Sequence, residues 1–130
     1  MKKIFCLVLA ALMLLTVAAS AEDTIKIGLY GTITGPNALA GEMLQKGAEL
    51  ALDQVNAAGG INGVMLELVP YDDQSTPEGA VKAVTRLVDV DEVVAICGSN
   101  SSPNIIAASS ITEEAGIIQE ILVNHRFQSC

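Results

Sequence analysis

The strongest constraint on the fold is the stretch from Ile25 to Pro36. Ile25, Ile27 and Leu29 alternate with Lys26, Gly28 and Tyr30, a period of two that predicts a short strand. Gly31, Thr32, Ile33, Thr34, Gly35 and Pro36 follow as a small, hydroxyl-rich loop, and a helical pattern begins after it. Strand, Gly/Thr loop and helix is the opening of an α/β domain, in which ligands sit in the loops at the carboxyl ends of the strands.

The pattern repeats down the chain. Met43, Leu44, Ala48, Ala51, Leu52 and Val55 predict one apolar stripe on a helix over Leu39 to Ala58, stopped by Gly59 and Gly60. Met65 to Val69, with Tyr71 just past it, predicts a second strand whose near-continuous apolar run suits a covered parallel strand. A second loop, Asp72 to Pro77, leads into a helix. Either Ser75 with Glu78 makes a capping box or Thr76 caps with Pro77 in the first turn. Ala80, Val84, Leu87 and Val88 mark the buried face of that helix. Val93 to Cys97 predicts a third strand, and Gly98 to Ser102 a third loop. Pro103 then opens a helix with Ser102 as its cap, and Gly116 ends it. A fourth strand is expected from Ile117, although Gln119 and Glu120 disturb its pattern. The predicted class is α/β, a three-layer doubly wound parallel sheet with strand one between strands two and three. The loops after strands one and three are then neighbours at a switch point, with Thr32, Thr34 and Ser102 on the rim of one crevice.

The amino terminus reads separately. Lys2 and Lys3, the apolar run Ile4 to Ala19 and the small-residue site Ala19-Ser20-Ala21 have the three parts of a secretory signal peptide. The run is short for a membrane span of about 20 residues. Cys6 lies inside it, away from the cut, so a lipid anchor on it is not expected. Residues 1–21 are therefore read as a signal peptide, residues 22–116 as the folded part, and residues 117–130 as a divergent tail. Of 7 basic and 15 acidic residues, only Lys2 and Lys3 lie before the cut, so the exported chain carries 5 minus 15, a net charge of −10. That argues against nucleic acid and anionic membrane surfaces as partners. A soluble periplasmic protein is the expectation.

Each candidate chemistry has a bland rival. Gly28, Gly31 and Gly35 lack the spacing of a dinucleotide-binding loop, and no Gly-Lys-Ser or Gly-Lys-Thr occurs. Asp72 and Asp73 could hold a cation, but no companion acid stands in the first loop, and a solvated pair leading a helix is the simpler reading. A serine hydrolase using Ser99 or Ser102 would need a base. The sole histidine is His125, in the irregular tail, and no Gly-x-Ser-x-Gly elbow exists. Cys97 lies in an apolar run and reads as a small packed side chain rather than a nucleophile. A bridge to Cys130 is not fixed by sequence. Hydroxyls and amides converging on a small polar ligand, without catalysis and without a cofactor or metal, is the functional expectation.

Ile25-Lys26-Ile27-Gly28, Thr34-Gly35-Pro36, Gln45 to Ala51, Asn56 to Gly63, Tyr71-Asp72-Asp73-Gln74-Ser75 and the Gly98 to Ser102 loop together resemble the start of a solute-binding protein for branched-chain amino acids. The resemblance covers Ile25 to Gly116. It implies a two-lobed protein that closes on an amino acid or a related amide and delivers it to an inner-membrane ABC permease. It also implies that this chain is an incomplete first lobe, and that Ser102 holds the ligand. Ser101, Thr34 and Gly35 complete the candidate ligand residues, and the amides of loops one and three with the start of the third helix are expected to take the carboxylate. Ala40 stands where close relatives carry an aromatic ring, and Ser75 and Ser101 where some members pair cysteines. From Ile118 to Cys130 the pattern is lost, which suggests a truncated or frameshifted product. A sensory lobe of a receptor is the remaining alternative.

Overall fold

The computed structural model describes residues 23–120; the proposed signal peptide with Cys6, and the stretch 121–130 with His125 and Cys130, lie outside them. The described residues form a parallel four-stranded sheet of order β2-β1-β3-β4. Its strands are β1 (Ile25–Gly31), β2 (Leu66–Asp72), β3 (Ala95–Cys97) and β4 (Ile118–Glu120), and its helices are α1 (Ala38–Ala57), α2 (Pro77–Asp89) and α3 (Ser102–Ala115). β1 is central: Ile25 to Gly31 pair with Leu66 to Asp72 on one side, and Ile27 to Leu29 with Ala95 to Cys97 on the other. The chain therefore turns back across β1, the arrangement expected from the strand–helix alternation, and with its flanking helices the sheet forms part of a doubly wound α/β lobe.

The two faces of β1 are served by different helices. Tyr30 belongs to the core formed with Ala80, Ala83, Val84 and Leu87 of α2, Ala108 of α3, and Val93 and Ile96. Alanines at three of these helical positions let α2 and α3 lie close to each other and to the sheet. On the opposite face a Cβ at Gly31 would sit 3.2 Å from Leu44 of α1, so α1 packs there.

Two expectations need correction and one open choice is resolved. The stripe drawn on α1 was too broad: Leu44, Ala48 and Leu52 are half-buried, while Met43 is 67% exposed and Val55 37%. Leu39 and Leu50 are exposed as well, so α1 is apolar on two sides and periodicity alone cannot choose between them. β2 is an edge strand extending to Asp72, rather than a covered strand ending at Val69. Pro70, which has no N–H to give to a ladder, is tolerated at an edge. Finally, α2 is capped by Thr76, whose Oγ accepts from the Gly79 amide at 3.0 Å, with Pro77 as first residue. That settles the choice between two caps against the Ser75–Glu78 box.

The stretch Asn56 to Gly63, which carried much of the resemblance, has a local reason. The Asn56 side chain accepts from the Leu66 amide and donates to the Leu66 carbonyl, both at 2.8 Å. One amide side chain thus takes the place of a strand neighbour and joins the end of α1 to the start of β2. α3 ends on Gly116 in the left-handed conformation (φ 67°), a common helix terminus.

Candidate functional site

The carboxyl ends of β1, β2 and β3 carry loops 31–37, 73–76 and 98–101 side by side. The Thr32 amide reaches Asn100 Oδ1 at 3.5 Å, so loops one and three are neighbours as the switch-point argument expected. Their contents differ from the expectation.

Asp72 and Asp73 are not a solvated pair. Asp72 is half-buried and holds loop one: its Oδ1 accepts from the Ile33 amide at 3.0 Å, the Thr34 amide at 3.2 Å and the Gln74 amide at 2.9 Å, and its Oδ2 accepts from the Thr34 hydroxyl. The amides of loop one that were expected to meet a ligand carboxylate are thus occupied by one from the chain itself. Burial pushes the Asp72 carboxyl up, but the hydrogen bonds from Thr34, Gln74 and Ile33 outweigh it and hold the group below its ordinary 3.8. Asp73 is fully buried. Its Oδ1 accepts from Thr32 Oγ and the Ser75 amide, both at 2.9 Å, and its Oδ2 from Ser99 Oγ at 2.6 Å and Asn104 Nδ2 at 2.8 Å. Gln74 and Ser75 both have positive φ, 52° and 59°, held by these carboxylate-to-amide bonds two residues on.

Thr32 is buried against Asp73 and does not rim a crevice. Thr34 and Gly35 are exposed. Gly35 (φ 95°) lies against Ser75, whose Oγ would be 3.0 Å from an added Cβ, so a larger residue is disfavoured there by the backbone conformation and would need Ser75 to give way. Ser99 is fully buried with its proton on Asp73, which removes it as a nucleophile accessible to substrate. Ser101, not Ser102, is the N-cap of α3, and its amide donates to Ser99 Oγ at 3.2 Å. Ser102 is the first helical residue and is exposed. Neither serine makes a side-chain cap bond to the helix. The first amides of a helix have no intrahelical partner; here Pro103 has no N–H and Asn104 is buried, so the exposed Ser102 supplies the free amide beside two hydroxyls at the sheet's switch point. Cys97 is half-buried; burial and then the Glu120 charge push its thiol up, so it stays protonated at neutral pH.

Asn104 and Thr112 are buried polar residues that periodicity could not find, because a helix face carrying Asn104, Ile105, Ala108 and Thr112 shows no apolar stripe; Asp73 lies in a loop, where no period applies. The Ser/Thr content of loops one and three was the available signal for the cluster around Asp73. At the opposite, amino end of the sheet, a cavity of about 500 Å³ is lined by Asp23, Lys26, Glu67, Asp91 and Glu92. It shares no residue with the loop cluster. Among the described residues no group of acidic, histidine or cysteine side chains is placed to hold a metal ion.

Known proteins with the same arrangement identify the class. The family model described as periplasmic binding protein matches residues 24–122. An amino acid binding protein of Pseudomonas aeruginosa is 43% identical over 117 residues, covering 90% of this chain and 31% of the relative. The leucine-, isoleucine-, valine-, threonine-, and alanine-binding protein of the same organism is 43% identical over 98 residues, 75% of this chain and 26% of the relative. Among solved structures, the branched-chain amino acid transporter substrate binding protein LivJ of Streptococcus pneumoniae, in complex with isoleucine, superposes with a TM-score of 0.73 at 38% identity, over 76% of this chain and 28% of that one. The chain thus spans under a third of the length of these relatives. With a matched segment of that extent and a β2-β1-β3-β4 lobe to carry it, the chain belongs to the periplasmic binding protein family.

Proposed function

We propose that the described lobe supplies the carboxylate-binding wall of a solute-binding protein for an ABC importer of branched-chain or related small amino acids or amides. Family membership places the chain in the periplasm and in a class that binds rather than catalyses. The observation that carries the ligand reading is the exposed amino end of α3, with Ser101 and Ser102, standing beside loop one at the switch point. Relatives named for leucine, isoleucine, valine, threonine and alanine binding, and one holding isoleucine, support an α-amino acid as the ligand class. Ser102 gives one hydrogen bond to the carboxylate, and Ser101 lies beside it. Thr34 and Gly35 shape the facing rim. Because the Asp72 carboxylate already sits on the loop-one amides, the anion is taken on the α3 side. The partner of the two-lobed protein is an inner-membrane permease.

Calorimetry tests this in two forms. The chain by itself has one wall of a cleft, cannot exclude water from a bound charge, and is expected to give no saturable heat with micromolar leucine, isoleucine, valine or small amides. Residues 23–120 joined in register to the remainder of the Pseudomonas aeruginosa amino acid binding protein are expected to bind. Ser102→Ala in that two-lobed chain weakens binding about tenfold, since a hydrogen bond to a charged group is worth roughly 1.5–3 kcal/mol and about 1.4 kcal/mol is tenfold. No binding by the two-lobed chain, or unchanged affinity in Ser102→Ala, removes the reading.

A further inference from the structure

We propose that Asp73 is the positioning residue of this site, a buried carboxylate that sets the amino end of α3 against loop one before any ligand arrives. The ligand clause rests on the function proposed above; the structural clause does not.

A carboxylate has about four lone-pair sites, and all are used here. The donors come from each of the three described loops at this end of the sheet and from the helix that follows: Thr32 after β1, Ser75 after β2, Ser99 after β3, and Asn104 in the first turn of α3, at 2.6–2.9 Å. Asp73, Thr32, Ser99 and Asn104 are each at most 1% exposed. In such a setting a hydrogen bond to a charge is strong, and its loss leaves a desolvated anion underpaired. An acid whose role was only to favour the start of α2 through its exposed amides would need no donors from loops one and three.

The network continues outward to the proposed ligand end. Ser99 Oγ donates to Asp73 and accepts from the Ser101 amide at 3.2 Å. Ser101 is the N-cap of α3, and Ser102 follows it. Asp73 therefore holds α3 by two routes, directly through Asn104 and through Ser99 to the cap. The Asp73 carbonyl also accepts from the Thr76 amide at 3.0 Å, fixing the entry to α2. Asp72, half-buried and bonded to loop one and Gln74, has no such reach into α3.

Residue-resolved hydrogen–deuterium exchange on the whole chain tests the proposal. Asn104→Ala removes one of the four donors. It is expected to speed exchange of the Ser101 and Ile105 amides, which are bonded to Ser99 Oγ and the Ser101 carbonyl, about tenfold, the equivalent of one hydrogen bond of about 1.4 kcal/mol. Leu87 and Ile96 in the core should keep their rates. Asp73→Ala is expected to loosen loops one and three together, and if it does not fold, Asn104→Ala decides alone. Unchanged exchange at Ser101 and Ile105 in Asn104→Ala, or an equal rise at Leu87 and Ile96, overturns the positioning role. Isoleucine affinity of the two-lobed chain gives the functional readout. Asn104→Ala should weaken it several-fold, and loosened loops with unchanged affinity also overturn the proposal. Absence of binding by the parent two-lobed chain removes the ligand reading and leaves the exchange result standing.

Discussion

Gln119 Nε2 donates to the buried hydroxyl of Tyr30 at 2.6 Å, across 89 positions of sequence. Tyr30 lies in the central strand and Gln119 in β4, the outermost strand on that side among the described residues, with β3 between them. Thr112 of α3 donates to Gln119 Oε1 at 3.0 Å, so one side chain ties β4 to both β1 and α3. Gln119 is one of the residues that disturb the expected fourth strand, and it is what registers that strand. Gln119→Leu is expected to lower stability by about 1–3 kcal/mol, the cost of leaving buried polar groups unpaired. Urea denaturation followed by circular dichroism measures it; an unchanged midpoint would mean that β4 is held by its backbone ladder alone.

The same hydroxyl makes the fold sensitive to alkali. Burial, the dominant cause, with the nearby Asp73 charge pushes Tyr30 up from 10.0 to about 12, although hydrogen bonds from the Ser99 amide and Gln119 pull the other way. The neutral phenol is therefore favoured by folding. Its contribution, on the order of 2–3 kcal/mol, is fully present below pH 10.0 and is lost as pH rises to about 12. Unfolding midpoints from neutral to strongly alkaline pH should fall in that window. A Tyr30→Phe chain should show a smaller fall there, and equal falls in the two chains would contradict the assignment.

Asp72 acts at the other end of the scale. Its folded value lies below 3.8, so the order that it imposes on loop one is complete above that pH and is lost as pH falls through the depressed value. Amide resonances of Ile33, Thr34 and Gln74 should titrate together in that acidic range. Thr34→Val, which removes one donor to Asp72, should move their common midpoint upward. Independent midpoints for the three amides would show that one carboxylate does not govern them.

Two glycines of α1 have opposite roles. A Cβ at Gly41 would lie 1.9 Å from the Thr32 carbonyl, whereas at Gly47 nothing stands within 4 Å. Gly41→Ala forces α1 off the loop and is expected to cost about 1–3 kcal/mol or more. Gly47→Ala is expected to stabilise by roughly 0.5–1 kcal/mol through helix propensity alone. Thermal melts of the two variants should shift in opposite directions, and a stabilised Gly41→Ala would mean that the close approach of α1 to Thr32 is not required.

The order of strands and helices was legible because it depends on local chemistry. Alternation in Ile25 to Tyr30, Pro77 and Pro103 at helix starts, and Gly116 at a helix end each act over a few residues, where side-chain period and backbone permissiveness are sufficient causes. The amphipathic face of α2 was legible for the same reason: it meets one apolar layer. What the chain by itself could not decide is which acid lies half-buried against loop one and which is fully buried. Asp72 and Asp73 are adjacent and chemically identical, and in a strand that runs to Asp72 their side chains leave toward different surroundings. Only the order β2-β1-β3 brings Thr32, Ser99 and Asn104 around Asp73, from 41, 26 and 31 positions away. A charge can be buried when such donors converge on it, and their convergence is a property of the assembled sheet.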